Sequence, residues 1–319
     1  MVAIAASLFT LLLILCVHRA FCYAFSLSSG GGFTSAIFAM SSTITRDQNN
    51  NDDDCDDQFR IGYLSDIEGN WEYFLECVHR SDVLDWEDAD DCTPSLSSAL
   101  NEGGGKMNIL FKRLTLRGNN TRFVYGGDTV DKGPGDIRLV RALVNLKRRY
   151  PDRVHLLVGN RDLNKLRLPS ELSVADMNRD IDDIPGPFWD PSAKTLREHL
   201  EEIKLERGSG ETNESVDELN SKAERLRYML KYTLGCPDTF EFRREEIKIL
   251  THIFGEYPPR FLETHDVTPI GELDEEPTSS ISVTDDAVVD SFLYEISKDG
   301  SLHQYLKLSQ IGAVIGSKY

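Results

Sequence analysis

The sequence predicts an α/β protein built on a parallel sheet, with oxygen ligands gathered along one edge of that sheet. Three short runs rich in β-branched and aromatic residues stop near a glycine, and acidic or amide residues follow each run. Helical patterns separate the runs, which is the arrangement of parallel strands joined by crossover helices. Ligands of such folds collect beyond the carboxyl ends of the strands, so the three runs are expected to serve one site.

The first half of the predicted fold contains three strands and two long helices. The strands are predicted at residues 59–64, 121–126 and 154–158, and the helices at residues 70–80 and 136–150. The last strand is continuously apolar, as expected for a strand buried on both faces. Residues 82–106, which are acidic and then rich in serine and glycine, are predicted to form a surface loop. Residues 107–116 fit either a helix or a strand.

After residue 162 the pattern becomes mainly helical and charged. Amphipathic helices are predicted at residues 164–172, 193–207, 215–234, 240–253, 287–297 and 301–308. Residues 180–191 carry acids and prolines and are predicted to be a loop. We therefore divide the chain into a core at residues 59–168, a helical cap or insertion at residues 169–309, and the start of a further strand at residues 310–319.

Composition restricts the classes of partner. The chain has 319 residues and a net charge of −18, from 53 acidic and 35 basic residues. Such an acidic protein is not expected to bind nucleic acid non-specifically, because that binding needs a basic face. The six cysteines contain no CxxC pair, so a thiolate zinc site is not expected, while a disulfide among them stays open.

The N-terminus has the pattern of a targeting sequence. Residues 1–24 lack acids and contain one long apolar run, which predicts a signal peptide and entry into the secretory pathway. Residues 25–46 also lack acids and are rich in serine, glycine and threonine, like a plastid transit segment. Residues 25–58, which include an acidic linker, are left out of the fold. The predicted destinations are a secondary plastid or secretion, with no stable membrane span after cleavage; a retained membrane anchor is the alternative.

The polar residues after the three strands suit divalent cations. Asp66 and Glu68 follow the first strand, Asp128 follows the second, and Asn160 follows the third. These oxygen donors are expected to share two metal ions, with Asp128 between them. A metal pair of this kind activates water near neutral pH and holds a phosphoester for in-line attack. Lys132 or Arg161 is expected to take the charge of the phosphate.

Three motifs in this order resemble those of the calcineurin-like metallophosphoesterases. The family patterns are D-x-H-G-N, G-D-x-x-D-R-G and G-N-H-[ED], and the chain reads SDIEGN from Ser65, GDTVDKG from Gly127 and GNRD from Gly159. The resemblance covers about a third of the chain. It implies an α/β/β/α sandwich with a dinuclear Mn, Fe, Zn or Mg centre. Asp66 would then bind the first metal, Asp128 would bridge, Asn160 would bind the second metal, and Asp131 would lie behind them.

Departures from the family pattern affect both metal binding and catalysis. Glu68 replaces a histidine ligand, which favours harder ions such as Mg or Mn. Arg161 replaces the histidine that would protonate the leaving group, and arginine cannot donate a proton near pH 7. Asp162 is expected to orient Arg161, and both are assigned to the catalytic group. The downstream histidine motifs of the family are missing, so only the first half of the sandwich is expected, in a C-terminally truncated chain.

Three functional hypotheses follow from these observations. The first is an enzyme, a metal-dependent phosphoesterase acting on an unidentified phosphorylated substrate. The second is a catalytically weak or inactive relative that binds a phosphorylated ligand or a partner through its cap. The third is a membrane-anchored scaffold, which rests on the N-terminal apolar run alone.

Overall fold

The computed structural model describes residues 59–89, 109–187, 189–207, 215–271 and 281–315. The predicted signal and transit segments, at residues 1–24 and 25–58, lie outside these described residues. None of the helices in the described ranges combines the length and apolar character that a membrane crossing requires. The described cysteines, Cys77 and Cys236, are both free thiols.

A three-stranded parallel sheet carries the three predicted strand-end motifs. Its strands are β1 (Arg60–Leu64), β4 (Thr121–Tyr125) and β5 (Val154–Leu156), in the order β1-β4-β5. The parallel pairing of β1 with β4 and of β4 with β5 brings their carboxyl ends to the same edge. The prediction of a mixed α/β protein with these parallel strands is therefore confirmed.

A second, antiparallel sheet was not predicted from the sequence. It consists of β2 (Leu84–Asp88), β3 (Leu110–Leu116) and β6 (Thr268–Ile270), in the order β2-β3-β6. The predicted surface loop at residues 82–106 was thus wrong at its start, where β2 lies. Within residues 107–116, for which helix and strand were both open, Leu110–Leu116 forms a strand. β6 comes from the predicted helical cap, so part of the cap is built into this sheet.

The longer helices overlap the segments predicted from periodicity, but short helices at Val174–Met177 and Arg260–Thr264 were not predicted, and the predicted helix at residues 215–234 is divided into a 3-10 turn, an α-helix and a π-helical turn. Those of the first half are α1 (Trp71–His79) and α2 (Asp136–Arg149), followed by α3 (Asn160–Asn164), α4 (Leu168–Glu171), α5 (Val174–Met177) and α6 (Leu196–Glu206). The remaining helices are α7 (Lys222–Tyr228), α8 (Thr239–Phe254), α9 (Arg260–Thr264), α10 (Asp285–Ile296) and α11 (Ser301–Leu308). A π-helical turn, Met229–Thr233, continues α7.

Asn70 begins α1 because its side chain accepts a hydrogen bond from the Tyr73 N–H at 3.1 Å, which is a typical N-cap. The start of α2 is capped differently. Gly135 offers no side chain, and the buried Glu246 of α8 accepts hydrogen bonds from the backbone N–H groups of Ile137 and Arg138 at 3.0 and 3.1 Å. A carboxylate at a helix N-terminus is favourable because it satisfies these N–H groups and faces the positive end of the helix dipole.

The main apolar core joins the two sheets to the helices that cover them. α1 and α2 contribute Phe74 and Leu143, and α11 contributes Tyr305, all of them fully buried. The Tyr305 hydroxyl donates to the Leu157 carbonyl at 2.6 Å, so the last helix fastens the end of β5. Gln310 then forms a parallel bridge with Leu157, at the start of the segment predicted to begin a further strand.

Candidate functional site

The loops after β1 and β4 lie side by side at the carboxyl edge of the parallel sheet. The Asp66 N–H donates to the Gly127 carbonyl and the Glu68 N–H donates to the Asp128 carbonyl, both at 3.1 Å. Asp66, Glu68 and Asp128 all adopt left-handed backbone, with φ of 55°, 52° and 55°. Non-glycine residues rarely take this conformation, and it is found disproportionately at functional sites.

The loop after β5 joins the other two through Asp128. The Arg161 N–H donates to the Asp128 carboxylate at 3.0 Å, and that carboxylate lies directly over Gly159. A Cβ atom at Gly159 would come within 2.1 Å of Asp128 Oδ1, so only glycine fits at this position. Asn160 follows as an exposed residue at the start of α3. Three motifs far apart in the sequence therefore meet at one edge of the sheet.

Asp162 assembles this edge by binding backbone groups. Its carboxylate is fully buried and accepts hydrogen bonds from the N–H groups of Asp128, Thr129 and Gly159, at 3.0, 2.8 and 2.9 Å. The Thr129 hydroxyl donates a fourth, at 2.5 Å. The expectation that Asp162 orients Arg161 was wrong, because both of its oxygens are occupied by these donors from the loops.

Arg161 pairs instead with Glu68, a residue 93 positions earlier in the chain. Its Nε lies 2.5 Å from Glu68 Oε1, while Lys132 Nζ lies 2.5 Å from Glu68 Oε2. Burial disfavours the charged form of Arg161, but the carboxylates of Glu68 and Asp131 outweigh this effect and raise its pKa. Both oxygens of Glu68 are thus held by side-chain cations.

Asp131, which was expected behind the metal ligands, is buried and also paired with cations. Its two oxygens lie 2.6 and 2.7 Å from the Nζ of Lys165, a lysine that is itself almost fully buried. Arg161 approaches the same carboxylate at 3.5 Å. Lys165 was not among the predicted site residues. Its position one helical turn after Arg161 was the signal that could have identified it, since residues at i and i+4 share a helix face.

A network of buried charges connects the cap to the same loops. The Asp136 carboxylate accepts from the Asp131 N–H and from the Arg243 guanidinium, both at 3.0 Å. The Thr239 hydroxyl donates to the Asp131 carbonyl at 2.6 Å. Burial raises the pKa of Asp136 to about 7 even though Arg243 opposes the shift. Thr239 and Arg243 belong to α8, and no motif in the sequence indicated their role.

The other predicted metal ligands, Asp66, Asp128 and Asn160, do not form a complete set of metal ligands in the described residues. Burial raises the pKa of Asp128, the Arg161 N–H opposes this, and the charges of Asp162 and Asp66 raise it further. Across the described ranges, no three side chains of the histidine, cysteine, aspartate and glutamate types are arranged to hold a metal ion. Asp66, Asp128 and the Asn160 amide supply three oxygen donors of the kind that Mg²⁺ and Mn²⁺ prefer.

A cavity of about 690 Å³ lies beside Asn160. Its walls come from the end of the core and from the cap, and they combine amide, cationic and aromatic side chains: Asn160, Asn164, Arg167, Trp189 and Tyr232. Cavities of this size accommodate small organic ligands.

Together these features define a mixed α/β protein with three strand-end loops that converge on a charged cluster beside a cavity. In comparisons with known proteins, no family model, curated protein or solved structure matched the chain.

Proposed function

We propose that the chain is a divergent metallophosphoesterase with a calcineurin-like core, and that it hydrolyses a phosphoester with the help of a divalent cation. The convergence of the loops after β1, β4 and β5 on Asp128 carries this proposal, because its carbonyl accepts from the β1 loop and its carboxylate accepts from the β5 loop. It supports the order and roles that the three motifs have in the family. Fold alone does not fix function, so the proposal depends on the chemistry of these side chains.

Asp66, Asp128 and Asn160 are the residues proposed to hold the cation. Such an ion, when bound, acts as a Lewis acid that activates water and offsets the charge of the phosphate. Burial raises the pKa of Asp128, and the neighbouring charges of Asp162 and Asp66 add to this, so a bound cation would stabilise the Asp128 carboxylate. A second ion, as in a dinuclear centre, would need Glu68 to leave its ion pairs with Arg161 and Lys132.

Arg161 and Lys132 are proposed to bind the phosphoryl oxygens. A guanidinium makes paired hydrogen bonds to phosphate, and Lys132 is 55% exposed and reaches the same carboxylate as Arg161. Neither residue can act as a proton donor to the leaving group in the way that histidine does. We therefore expect hydrolysis to be confined to esters with acidic leaving groups, and the aromatic walls of the cavity beside Asn160 favour an aryl group.

Turnover of p-nitrophenyl phosphate with added Mn²⁺ or Mg²⁺ tests this proposal. We expect hydrolysis that is abolished by a chelator and restored by the metal. Asp128→Asn should lower kcat/KM by roughly 100-fold or more, because it removes a charge that holds the cation. Asp152→Asn, at an exposed turn before β5, is the matched control and should have no effect. Turnover that is absent, or that survives in Asp128→Asn, contradicts the proposal.

Calorimetric titration with Mn²⁺ measures how many ions bind to each chain. One bound ion per chain is expected, because the Glu68 carboxylate is already paired. Glu68→Gln should leave that first ion in place, whereas loss of the ion in this variant would make Glu68 a ligand.

The second candidate function is binding of a phosphorylated ligand without turnover. The pairing of Arg161 and Lys132 with Glu68 favours it, since these cations occupy the side of the site where the family has a ligand histidine. Metal-independent binding of phenyl phosphate, weakened in Arg161→Met and unaccompanied by hydrolysis, would select this function over the first.

A further inference from the structure

We propose that a second cavity, at the opposite end of α2 from the candidate site, binds a small oxyanion such as a phosphate or a dicarboxylate. The cavity has a volume of about 670 Å³. It lies between the C-terminal half of α2, the segment from α9 to Asp266, the end of α10 and the start of α11. Nothing in the proposed hydrolysis uses it.

One face of α2 lines this cavity. Arg141, Val144, Asn145 and Arg148 are spaced at i, i+3, i+4 and i+7, so they lie on the same side of the helix. The first turn of α2 lies at the candidate site, where Asp136 accepts from the Asp131 N–H. The two cavities are therefore separated along a helix that is about 20 Å long.

Arg141 is the strongest indication of a ligand. Its Nε is buried and has no hydrogen-bond partner, and its guanidinium makes no ion pair with any described residue. Burial lowers its pKa; Glu295, Tyr294 and Glu263 favour the charged form, but the two carboxylates stay beyond ion-pair distance. A partly buried cation without a partner is unfavourable, and an anion in the cavity would compensate it.

Two further cations, Arg148 and Lys298, line the same cavity and make few contacts with other side chains. Arg148 makes one long hydrogen bond, 3.4 Å to the Gln304 side chain, and Lys298 is exposed. The Lys298 Nζ has no partner among the described residues. Arg141, Arg148 and Lys298 thus form a set of cations that are available to an incoming anion.

The acidic residues at the cavity are more fully engaged than these cations. Asp266 pairs with Arg149 at 2.8 Å, and Glu263 accepts a hydrogen bond from the Tyr294 hydroxyl at 3.1 Å. Asp299 is left as an exposed carboxylate at the rim. Among the charged side chains of the lining, four cations, Arg141, Arg148, Arg149 and Lys298, face three acids, Glu263, Asp266 and Asp299, so the cavity favours an anion over a neutral ligand.

The net charge of the chain confines anion binding to places where positive charge is concentrated. At −18, the molecule as a whole repels anions at long range. An anion that binds must therefore meet a local concentration of positive charge, and the cavity around Arg141 provides it.

Isothermal titration calorimetry of the full chain, freed of divalent metal with a chelator, tests the proposal with two probes at constant ionic strength. Inorganic phosphate and malonate distinguish a phosphate ligand from a dicarboxylate. We expect at least one of them to bind, and we expect Arg141→Met to weaken that binding about tenfold or more, because it removes charged hydrogen bonds. Arg80→Met is the control, because Arg80 is an exposed arginine at the end of α1 and its replacement removes the same charge.

Arg161→Met separates this site from the proposed phosphoesterase site, because it removes the arginine proposed to bind phosphate there. Oxyanion binding that persists in Arg161→Met and is lost in Arg141→Met supports the second site, whether or not the chain hydrolyses phosphoesters. Binding that is absent from the wild-type chain, or that is unchanged in Arg141→Met, overturns it. If Arg141→Met does not fold, Lys298→Met at an exposed position provides the same comparison, and unchanged binding there overturns the proposal.

Discussion

Replacing Asp162 by asparagine should destabilise the whole fold, because this carboxylate ties the β4 loop to the β5 loop. Each of its oxygens accepts two hydrogen bonds, from four donors in all. Asparagine keeps one oxygen and turns an NH₂ group toward the other two donors. Two hydrogen bonds to a charged acceptor are lost, each contributing about 1.5–3 kcal/mol, so the free energy of unfolding should fall by about 3–6 kcal/mol.

Urea-induced unfolding, followed by tryptophan fluorescence and by circular dichroism, measures this change. Trp71 and Trp86 are in contact within the main core and report on its loss. Asp152→Asn, the exposed control, should stay within about 0.5 kcal/mol of the wild type. A loss of less than about 1 kcal/mol in Asp162→Asn would show that the Asp162 carboxylate does not hold the two loops together, and would refute the reasoning.

Three further predictions concern other buried groups. Glu246→Ala removes the acceptor at the start of α2 and should cost about 3–5 kcal/mol in the same unfolding assay, because it leaves buried cations uncompensated. His199 has a pKa lowered by burial to about 4, so the unfolded chain binds its proton first and stability falls as the pH drops from 6.5 to 4. His199→Phe should reduce that fall by about 3 kcal/mol, measured as the difference between unfolding curves at pH 7 and pH 4. Gly159→Ala should push Asp128 aside and abolish hydrolysis of p-nitrophenyl phosphate, and an active Gly159→Ala enzyme would place the reaction elsewhere.

The elements that the sequence predicted correctly are those whose pattern depends on burial. β4 and β5 are largely buried runs that stop before a ligand residue, and α2 has an apolar face that packs beneath the sheet. β2 was not predicted for two reasons. Its sequence, LDWED, is largely acidic, and its last two side chains are exposed. Its partner β3 is also separated from it by a long segment of chain. β6 is three residues long and contains a proline, which leaves almost no periodic signal.

In the candidate site, too, some features were predictable from the sequence and others were not. The motifs predicted which loops would meet, because the residues after parallel strands must lie at one edge. They did not predict the ion pairs, since Arg161 selects Glu68 from a different loop while the adjacent Asp162 turns toward backbone N–H groups. Pairings of this kind depend on side-chain geometry in three dimensions, and sequence neighbours are a poor guide to them.

The backbone conformation of Asp66, Glu68, Asp128 and Asp131 has a consequence for any effort to make this protein more robust. At positive φ, each of these residues is less comfortable than glycine would be, by about 1 kcal/mol or more. Glu68 and Asp131 are kept in place by their ion pairs with Arg161, Lys132 and Lys165, whose loss would cost more than the backbone gains. At Asp66, which makes no ion pair with a described residue, selection for heat resistance alone is therefore expected to favour glycine. Such a variant would gain stability while losing a carboxylate, and improvement of the scaffold would then erase whatever activity that carboxylate supports.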